Sequence, residues 1–227
     1  MRDQIRDLVS ALLWETRAFK VSFEEPFTLA SGNRSPLYVD CRVIISYPWA
    51  RGIVTSCAQW LCEADHVAAD YVAGGETAGI PFAAWLAERW AKPFVYVRKQ
   101  PKGYGMGAQI EGDLPPGKRV LLCEDLITDG KSKLTFVDGI EKAGGEVKDC
   151  LVVFDREQGG AELLRRRGVA LHSLSDLASC LRFVTAAGHF TPDAGASIDA
   201  YLADPARWHA ERGYDYSPAG GAPPAGA

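Results

Sequence analysis

Short apolar runs that alternate with amphipathic segments are the feature that most constrains how this chain can fold. The apolar runs lie at 70–75, 94–97, 120–123, 151–154 and 169–174, and most intervening segments have apolar residues at helical spacing. A strand that is apolar throughout is buried on both faces, and helices between such strands cover the two faces of a parallel sheet. The alternation predicts an α/β fold with a Rossmann-like, mostly parallel sheet flanked by helices, in which ligands bind beyond the carboxyl ends of the strands.

The N-terminal part of the chain has a different pattern. Apolar residues recur at helical spacing from residue 3 to about 18 and from 50 to about 63, which predicts two helices. Between them, residues 27–30 and 37–41 are predicted to form short strands around the turn at 31–36, which is rich in Ser, Gly, Asn and Pro.

Composition and cysteine usage exclude several classes of protein. With a net charge of −4, 47% hydrophobic and 24% charged residues, the 227-residue chain is ordinary for a globular protein and lacks the basic excess that favours nucleic acid or anionic membranes. Its six cysteines match neither a zinc pattern nor a CxxC pair, and its four histidines are scattered. Because the first residues lead into an amphipathic pattern, we expect no signal peptide, and no apolar run is long enough to span a bilayer. We expect a cytoplasmic protein that binds neither nucleic acid nor membrane.

The most informative segment is the thirteen-residue run from Val120 to Ser132, VLLCEDLITDGKS. Four apolar residues predict a buried strand, and Glu124 and Asp125 stand at its end, before a loop that leads into a helix. Backbone N–H groups at a helix N-terminus bind phosphate, and Gly130 allows the tight turn that this requires. The paired acids suit ribose hydroxyls or assistance to a magnesium ion. Taken alone, the run also fits an ordinary strand–helix turn with solvated acids.

As a whole, this run resembles the phosphoribosyl pyrophosphate (PRPP) signature of the type I phosphoribosyltransferases. The resemblance implies the fold of that family, but it does not specify the base that is transferred. It also implies that the following residues bind PRPP: Glu124, Asp125, Leu126, Ile127, Thr128, Asp129, Gly130, Lys131 and Ser132.

Two further segments resemble the orotate phosphoribosyltransferases in particular. The segment 27–40, FTLASGNRSPLYVD, is similar to their N-terminal hood over the base, although a plain hairpin turn would fit it too. Residues 97–105 are similar to their catalytic loop, which begins with Arg-Lys and has a Lys three residues later; a solvated basic turn is the alternative. In that family the loop closes over the neighbouring subunit's site, which implies a homodimer in which the 98–112 loop reaches the partner.

Two shorter segments extend the same resemblance. Arg156 follows a predicted strand, and a guanidinium pairs with a carboxylate such as that of orotate. In the family this position, with Thr128, contacts orotate; a surface ion pair with Asp155 is the alternative. Residues 74–81, GGETAGIP, resemble the family's pyrophosphate loop, which implies that Glu76 and Thr77 bind PRPP, although a generic tight turn would fit as well.

The sequence departs from the family pattern at four positions. Many members have Lys where this chain has Ala30 and Ala78, a loop His is frequent at Tyr104, and Glu124 is longer than the usual Asp. Tyr104 is still included among the residues expected to bind PRPP, because a phenol can donate a hydrogen bond.

Together, the resemblances imply transfer of ribose 5-phosphate from PRPP to orotate. They also imply a Mg²⁺ ion that is held mainly through the substrate, with Asp125 as its candidate protein ligand. Residues 1–45 are expected to form the N-terminal helix and hood, 46–205 the core, and 206–227 an extension whose end, which lacks charge and large apolar groups, is disordered. The expected catalytic residues, of which the three cations also bind PRPP, are Arg98, Lys99, Lys102 and Asp125. A phosphoribosyltransferase for another base and a non-catalytic PRPP-binding regulator remain open alternatives.

Overall fold

The computed structural model describes residues 2–22, 24–29, 31–101, 109–189 and 192–217. The helices are α1 (Arg2–Glu15), α2 (Pro48–Ala64), α3 (Gly79–Arg89), α4 (Lys131–Lys142), α5 (Gly160–Arg166), α6 (Leu177–Ala186), α7 (Pro192–Ala203) and α8 (Pro205–Glu211). The strands are β1 (Phe19–Val21), β2 (Phe27–Thr28), β3 (Arg34–Ser35), β4 (Leu37–Val39), β5 (Tyr71–Gly75), β6 (Phe94–Val97), β7 (Ile110–Glu111), β8 (Arg119–Ile127), β9 (Glu146–Asp155) and β10 (Ala170–Asp176). A 3₁₀ helix spans Cys41–Ser46.

A six-stranded sheet forms the centre of the fold, in the order β10-β9-β8-β5-β6-β7. All neighbouring pairs are parallel except β6 and β7. The predicted α/β fold with a mostly parallel sheet is therefore confirmed. One detail of the prediction is wrong: β8 does not end at residue 123 but continues to Ile127, because residues 124–127 remain paired with β9.

Successive residues of β8 pack into two separate cores, one on each face of the sheet. Leu121 and Cys123 belong to the core that includes residues of α1, α2, α3 and α6. Val120 and Leu122 belong to the core formed with α4 and α5, whose largest member is Phe136. Since side chains alternate across a strand, helices must cover both faces of a strand that is apolar throughout.

The segment before α2 forms two small antiparallel sheets. The prediction that residues 27–30 and 37–41 flank the turn as its strands is corrected: β2 pairs with β3, whereas β4 pairs with β1. The chain turns earlier than expected because Gly32, with φ of 84°, donates a backbone hydrogen bond to Leu29 and lets Leu29 bond to Asn33. We call residues 27–40 the hood.

Two helices that the sequence pattern did not predict, α7 and α8, follow α6. Asp204 caps α8 by accepting a hydrogen bond from the Arg207 backbone at 3.0 Å, and Trp208 on α8 is fully buried. The predicted disordered tail falls almost wholly on 218–227, outside the described residues. None of the helices in the described ranges has the length and apolar character needed to cross a membrane.

Candidate active site

A cavity of about 330 Å³ lies at the carboxyl ends of β5, β6 and β8. It is the position where a parallel sheet with helices on both faces places its ligands. Its lining residues come from the hood, the 3₁₀ helix, the β5–α3 turn, the loop after β6, β8 and the start of α4: Val39, Asp40, Arg42, Glu76, Thr77, Ala78, Lys99, Glu124, Asp125, Leu126, Ser132, Lys133 and Phe136.

Glu76 connects the β5–α3 turn to the end of β6. Its backbone N–H donates to the carbonyl of Val97 at 2.8 Å, and its carboxylate accepts the backbone N–H of Lys99 at 2.8 Å. The peptide bond between Glu76 and Thr77 is cis. Because the backbone of Lys99 is held in this way, its exposed ammonium lines the cavity beside Thr77.

Glu124 forms a buried ion pair with Lys133 from the first turn of α4. The Lys133 ammonium donates to Glu124 Oε2 at 2.6 Å, and both side chains are below a tenth exposed. The carboxylate fits against Gly75 and Gly79, where a Cβ atom at either position would overlap Glu124 Oε1. Burial raises the pKa of Glu124 to about 7, although the Lys133 charge opposes that rise.

Asp125 is less buried than Glu124 and faces the hood side of the cavity. Burial raises the pKa of its carboxyl above the ordinary value, and Lys133 partly offsets the rise. The buried thiol of Cys41 is close to Asp125 and to Arg156: its pKa is raised mainly by burial and further by Asp125, whereas Arg156 lowers it. Asp125 and Arg156 are therefore both near Cys41, at the same end of the sheet.

The turn between β8 and α4 packs against the turn between β9 and α5. Gly130 has φ of 80°, and a Cβ atom there would lie 3.2 Å from the Gly160 backbone. Gly160 donates its N–H to the Thr128 carbonyl at 3.0 Å, and Arg156 donates to the Ile127 carbonyl at 3.0 Å. Gly130, the N-cap residue of α4, has no side chain to cap the helix, and Asp129 Oδ1 accepts the Lys131 backbone N–H at 3.1 Å. The start of the helix can still present backbone N–H groups to a phosphate.

Arg156 carries a partly buried guanidinium with no hydrogen-bond or ion-pair partner in the part of the chain that the structure describes. Asp155 accepts instead from the Glu157 backbone at 2.8 Å, so the alternative of an Asp155–Arg156 ion pair is wrong. Burial lowers the pKa of Arg156, and nearby Tyr201, Cys41 and Tyr38 offset part of this effect. A guanidinium in such surroundings can accept a carboxylate ligand in two-pronged geometry.

The structure brings several of the predicted site residues together at the cavity and leaves others outside its lining. Those that line it are Glu76, Thr77, Lys99, Glu124, Asp125, Leu126 and Ser132. Arg98 is directed to Glu111, with 3.5 Å between guanidinium and carboxylate. Ile127 is fully buried in the core, and Thr128, Asp129, Gly130, Lys131 and Arg156 border the adjoining turns. Lys102, Tyr104 and Ala30 lie outside the described residues.

Three polar residues at the cavity were missed by the sequence analysis: Asp40, Arg42 and Lys133. Asp40 and Arg42 form an ion pair at 2.6 Å, which a spacing of two residues does not predict. For Lys133 a signal existed, because a cation in the first turn of a helix faces the positive end of the helix dipole and needs a compensating acid.

Comparison with known proteins identifies the class of protein to which this chain belongs. The sequence model of the phosphoribosyl transferase domain matches residues 51–166, which contain β5 to β9 and the cavity residues between positions 76 and 136. An orotate phosphoribosyltransferase of Jannaschia sp. strain CCS1 is 44% identical over 211 residues, which cover 91% of this chain and 92% of that protein.

Solved structures agree with this class. Orotate phosphoribosyltransferase from Aeropyrum pernix superposes with a TM-score of 0.67 at 32% identity, covering 78% of this chain and 99% of that one. The Mycobacterium tuberculosis H37Rv enzyme, solved in complex with 5-phospho-alpha-D-ribosyl 1-diphosphate, superposes with a TM-score of 0.63 at 30% identity, covering 78% and 98%. The chain belongs to the orotate phosphoribosyltransferase family.

Proposed function

We propose that this chain transfers the ribose 5-phosphate of PRPP to N1 of orotate, which yields orotidine 5′-monophosphate and pyrophosphate in de novo UMP synthesis. The observation that carries the proposal is the joint placement of three features at one edge of the sheet: the N-terminus of α4 with Gly130 as its N-cap, a pair of acids, and the partly buried guanidinium of Arg156. Phosphate, ribose hydroxyls and a carboxylate are the groups that these features bind.

In the proposed reaction, the bond between ribose C1 and the pyrophosphate oxygen breaks, and the oxygen keeps the bonding electrons. Orotate N1 supplies the electron pair for the new bond to C1 and releases its proton. Lys99, with Arg98 and Lys102, offsets the charge that grows on pyrophosphate, while Asp125 and Glu124 hold the ribose hydroxyls and offset positive charge on the ring. Catalysis of this kind depends on positioning and electrostatics, so no covalent intermediate with the protein is required.

Each part of PRPP has a complementary surface. The segment 128–132 receives the 5′-phosphate at the start of α4, and Glu76 and Thr77 place backbone groups beside the pyrophosphate. Ala78 supplies no charge where many family members have lysine, but it lines the same cavity as Lys99 and Lys133. Orotate lies on the hood side, with its carboxylate on Arg156 and a further contact from Thr128.

The residues present fit a magnesium ion that is bound mainly through the substrate. Carboxylates of Asp125 and Glu76 line the cavity, yet no group of three acidic, His or Cys side chains is arranged to hold a metal within the described ranges. Mg²⁺ usually takes one or two carboxylates plus substrate phosphates, so Asp125 is its candidate protein ligand. When bound, the ion would neutralise pyrophosphate charge.

We also infer that the protein acts in the cytoplasm, because its six cysteines are buried and form no disulfides. We further infer a homodimer in which the 98–112 loop serves the neighbouring site. The dimer can be tested by mixing a Lys102→Ala protein with an Arg156→Ala protein under conditions of subunit exchange. Shared sites would restore about a quarter of wild-type activity, since about half of the dimers are mixed and each has one intact site of two. No gain on mixing would contradict the shared site.

The function is tested by product formation from PRPP and Mg²⁺ with orotate, uracil, hypoxanthine and adenine compared side by side. Turnover confined to orotate is expected. Turnover with another base would keep the PRPP site and overturn the base assignment. Tight PRPP binding without turnover of any base would favour the regulator.

A further inference from the structure

The turn of the hood is held by the C-terminal segment 205–217. Asn33 exchanges two hydrogen bonds with Ser217: its amide donates to the Ser217 carbonyl at 2.6 Å and accepts the Ser217 N–H at 2.9 Å. The next hood residue, Arg34, donates its backbone N–H to His209 Nε2 at 3.0 Å. The hood turn thus obtains its polar partners from residues far along the chain.

His209 has a single hydrogen-bonding arrangement in this position. Its ring Nδ1 lies 2.5 Å from the Pro205 carbonyl, which can only accept, so Nδ1 carries the proton. Nε2 is then the acceptor that the Arg34 N–H requires. The side chain is fully buried, and aromatic rings of Tyr201, Trp208, Tyr214 and Tyr216 surround it at centroid distances of 6.3, 5.3, 6.4 and 4.9 Å.

The same structural unit reaches the base side of the site. From Arg34 the chain passes through Ser35, whose hydroxyl donates to the Leu37 carbonyl at 2.8 Å, to Tyr38 near Arg156. Phe27 at the other arm of the hood packs on Tyr38, with 5.5 Å between ring centroids. Tyr201 of α7 contacts the Trp208 ring and is also near Arg156.

We propose that the C-terminal segment 205–217 positions the hood over the base, with His209 as a positioning residue that acts through the Arg34 backbone N–H. The inference rests on the proposed function, because the hood matters for the reaction only if a base binds beneath it. It predicts that loss of the His209 acceptor weakens orotate binding and leaves PRPP binding unchanged. Within the described residues, no hydrogen bond joins α8 to the PRPP loops at 74–78 and 124–132.

The test compares steady-state kinetics of the full-length wild type with His209→Ala, His209→Gln and, as a control in the same helix, Arg207→Ala. Arg207 is exposed and pairs only with Glu211 within the described residues. His209→Ala is expected to raise the orotate KM about tenfold, with the PRPP KM unchanged. Gln can offer its amide oxygen to the Arg34 N–H, so His209→Gln should recover most of the loss, and Arg207→Ala should match the wild type.

Asn33→Ala provides a second variant in case His209→Ala does not fold, and thermal unfolding reports on folding for each protein. The Asn33→Ala substitution removes both hydrogen bonds to Ser217 and is expected to raise the orotate KM, as His209→Ala does. An orotate KM that stays unchanged in the folded variants, or an equal rise in both KM values, would overturn the positioning role while the proposed function stands. A wild type without orotate turnover would overturn the proposed function itself and this inference with it.

Discussion

The ammonium of Lys133 lies 2.6 Å from Glu124 Oε2, and the two side chains are 7% and 6% exposed. A buried ion pair contributes little net stability compared with apolar residues of the same size, because both charges lose water. Its retention at the cavity wall therefore suggests a role in binding: Lys133 holds one acid of the pair back against Gly75 and Gly79, and leaves Asp125 nearer the cavity opening.

Lys133→Met is expected to destabilise the protein by about 3–5 kcal/mol if Glu124 keeps its charge, and by less if it takes up a proton. PRPP affinity should fall as well, because the carboxylate is no longer held. Chemical denaturation and PRPP titration measure the two effects. Lys131→Met is the matched control for stability, since Lys131 is exposed and pairs only with exposed Asp129 within the described residues; its loss of stability should stay below about 1 kcal/mol. Equal losses of stability at 131 and 133 would contradict the structural assignment.

The pH dependence of the free energy of unfolding should reveal the titration of Glu124. Its pKa is raised to about 7 in the folded protein from an ordinary 4.5, so the folded state binds its proton more tightly than the unfolded state. The free energy of unfolding should then fall as pH rises between these two values, and Glu124 should contribute no slope outside them. Urea denaturation of wild type and Glu124→Gln across pH 4 to 8 isolates this contribution. Parallel curves for the two proteins would rule it out.

Gly79→Ala tests the close fit around the Glu124 carboxylate. An added Cβ would overlap Glu124 Oε1 and lie 2.7 Å from the Cys123 carbonyl, so a cost of about 1–3 kcal/mol and weaker PRPP binding are expected. Gly52→Ala is the control, because Gly52 is exposed within α2 with open space around its Cβ position. It should stabilise by about 0.5–1 kcal/mol, the usual gain in a helix interior. Thermal unfolding should show a lower melting temperature for Gly79→Ala and a higher one for Gly52→Ala.

Arg156→Ala should weaken orotate binding about 10- to 100-fold, the range for loss of a charge-assisted hydrogen bond, while PRPP binding changes little. Calorimetric titration with each substrate separates the two affinities. Arg166→Ala, which removes an exposed guanidinium paired with Glu162 on α5, should leave both affinities unchanged. An equal loss of both affinities in Arg156→Ala would remove Arg156 from its assigned role as base selector.

The central sheet and the phosphate turn were predictable because their signals are local. β5, β6, β8 and β9 each contain a short apolar run, and the turn at 128–132 contains its own glycine and hydroxyl residues. The parallel pairing follows from the helices between the strands, whereas the sequence analysis did not predict the order of the strands.

Other features depend on contacts between distant residues and could not be predicted in the same way. The helix α7 is rich in small residues, and Ile198 is its only fully buried side chain among those described, so its apolar periodicity is weak. For Lys133, the position in the first turn of α4 indicates that an acid is needed, but only the folded structure shows that this acid is Glu124 and that the pair is buried. The hood pairs β2 with β3 because of hydrogen bonds around Gly32, which the wider Ser-Gly-Asn-Pro signal does not specify.

The hood turn and its anchor lie near opposite ends of the chain. The hydrogen bonds from Arg34 to His209 and between Asn33 and Ser217 join residues that are 175 and 184 positions apart. A polypeptide emerging from the ribosome exposes the hood long before its anchor has been translated, whereas β5, β8 and β9 are complete by Asp155. During synthesis, the groups for PRPP and Arg156 can therefore assemble first, and the hood obtains its anchor only when translation reaches the final helix.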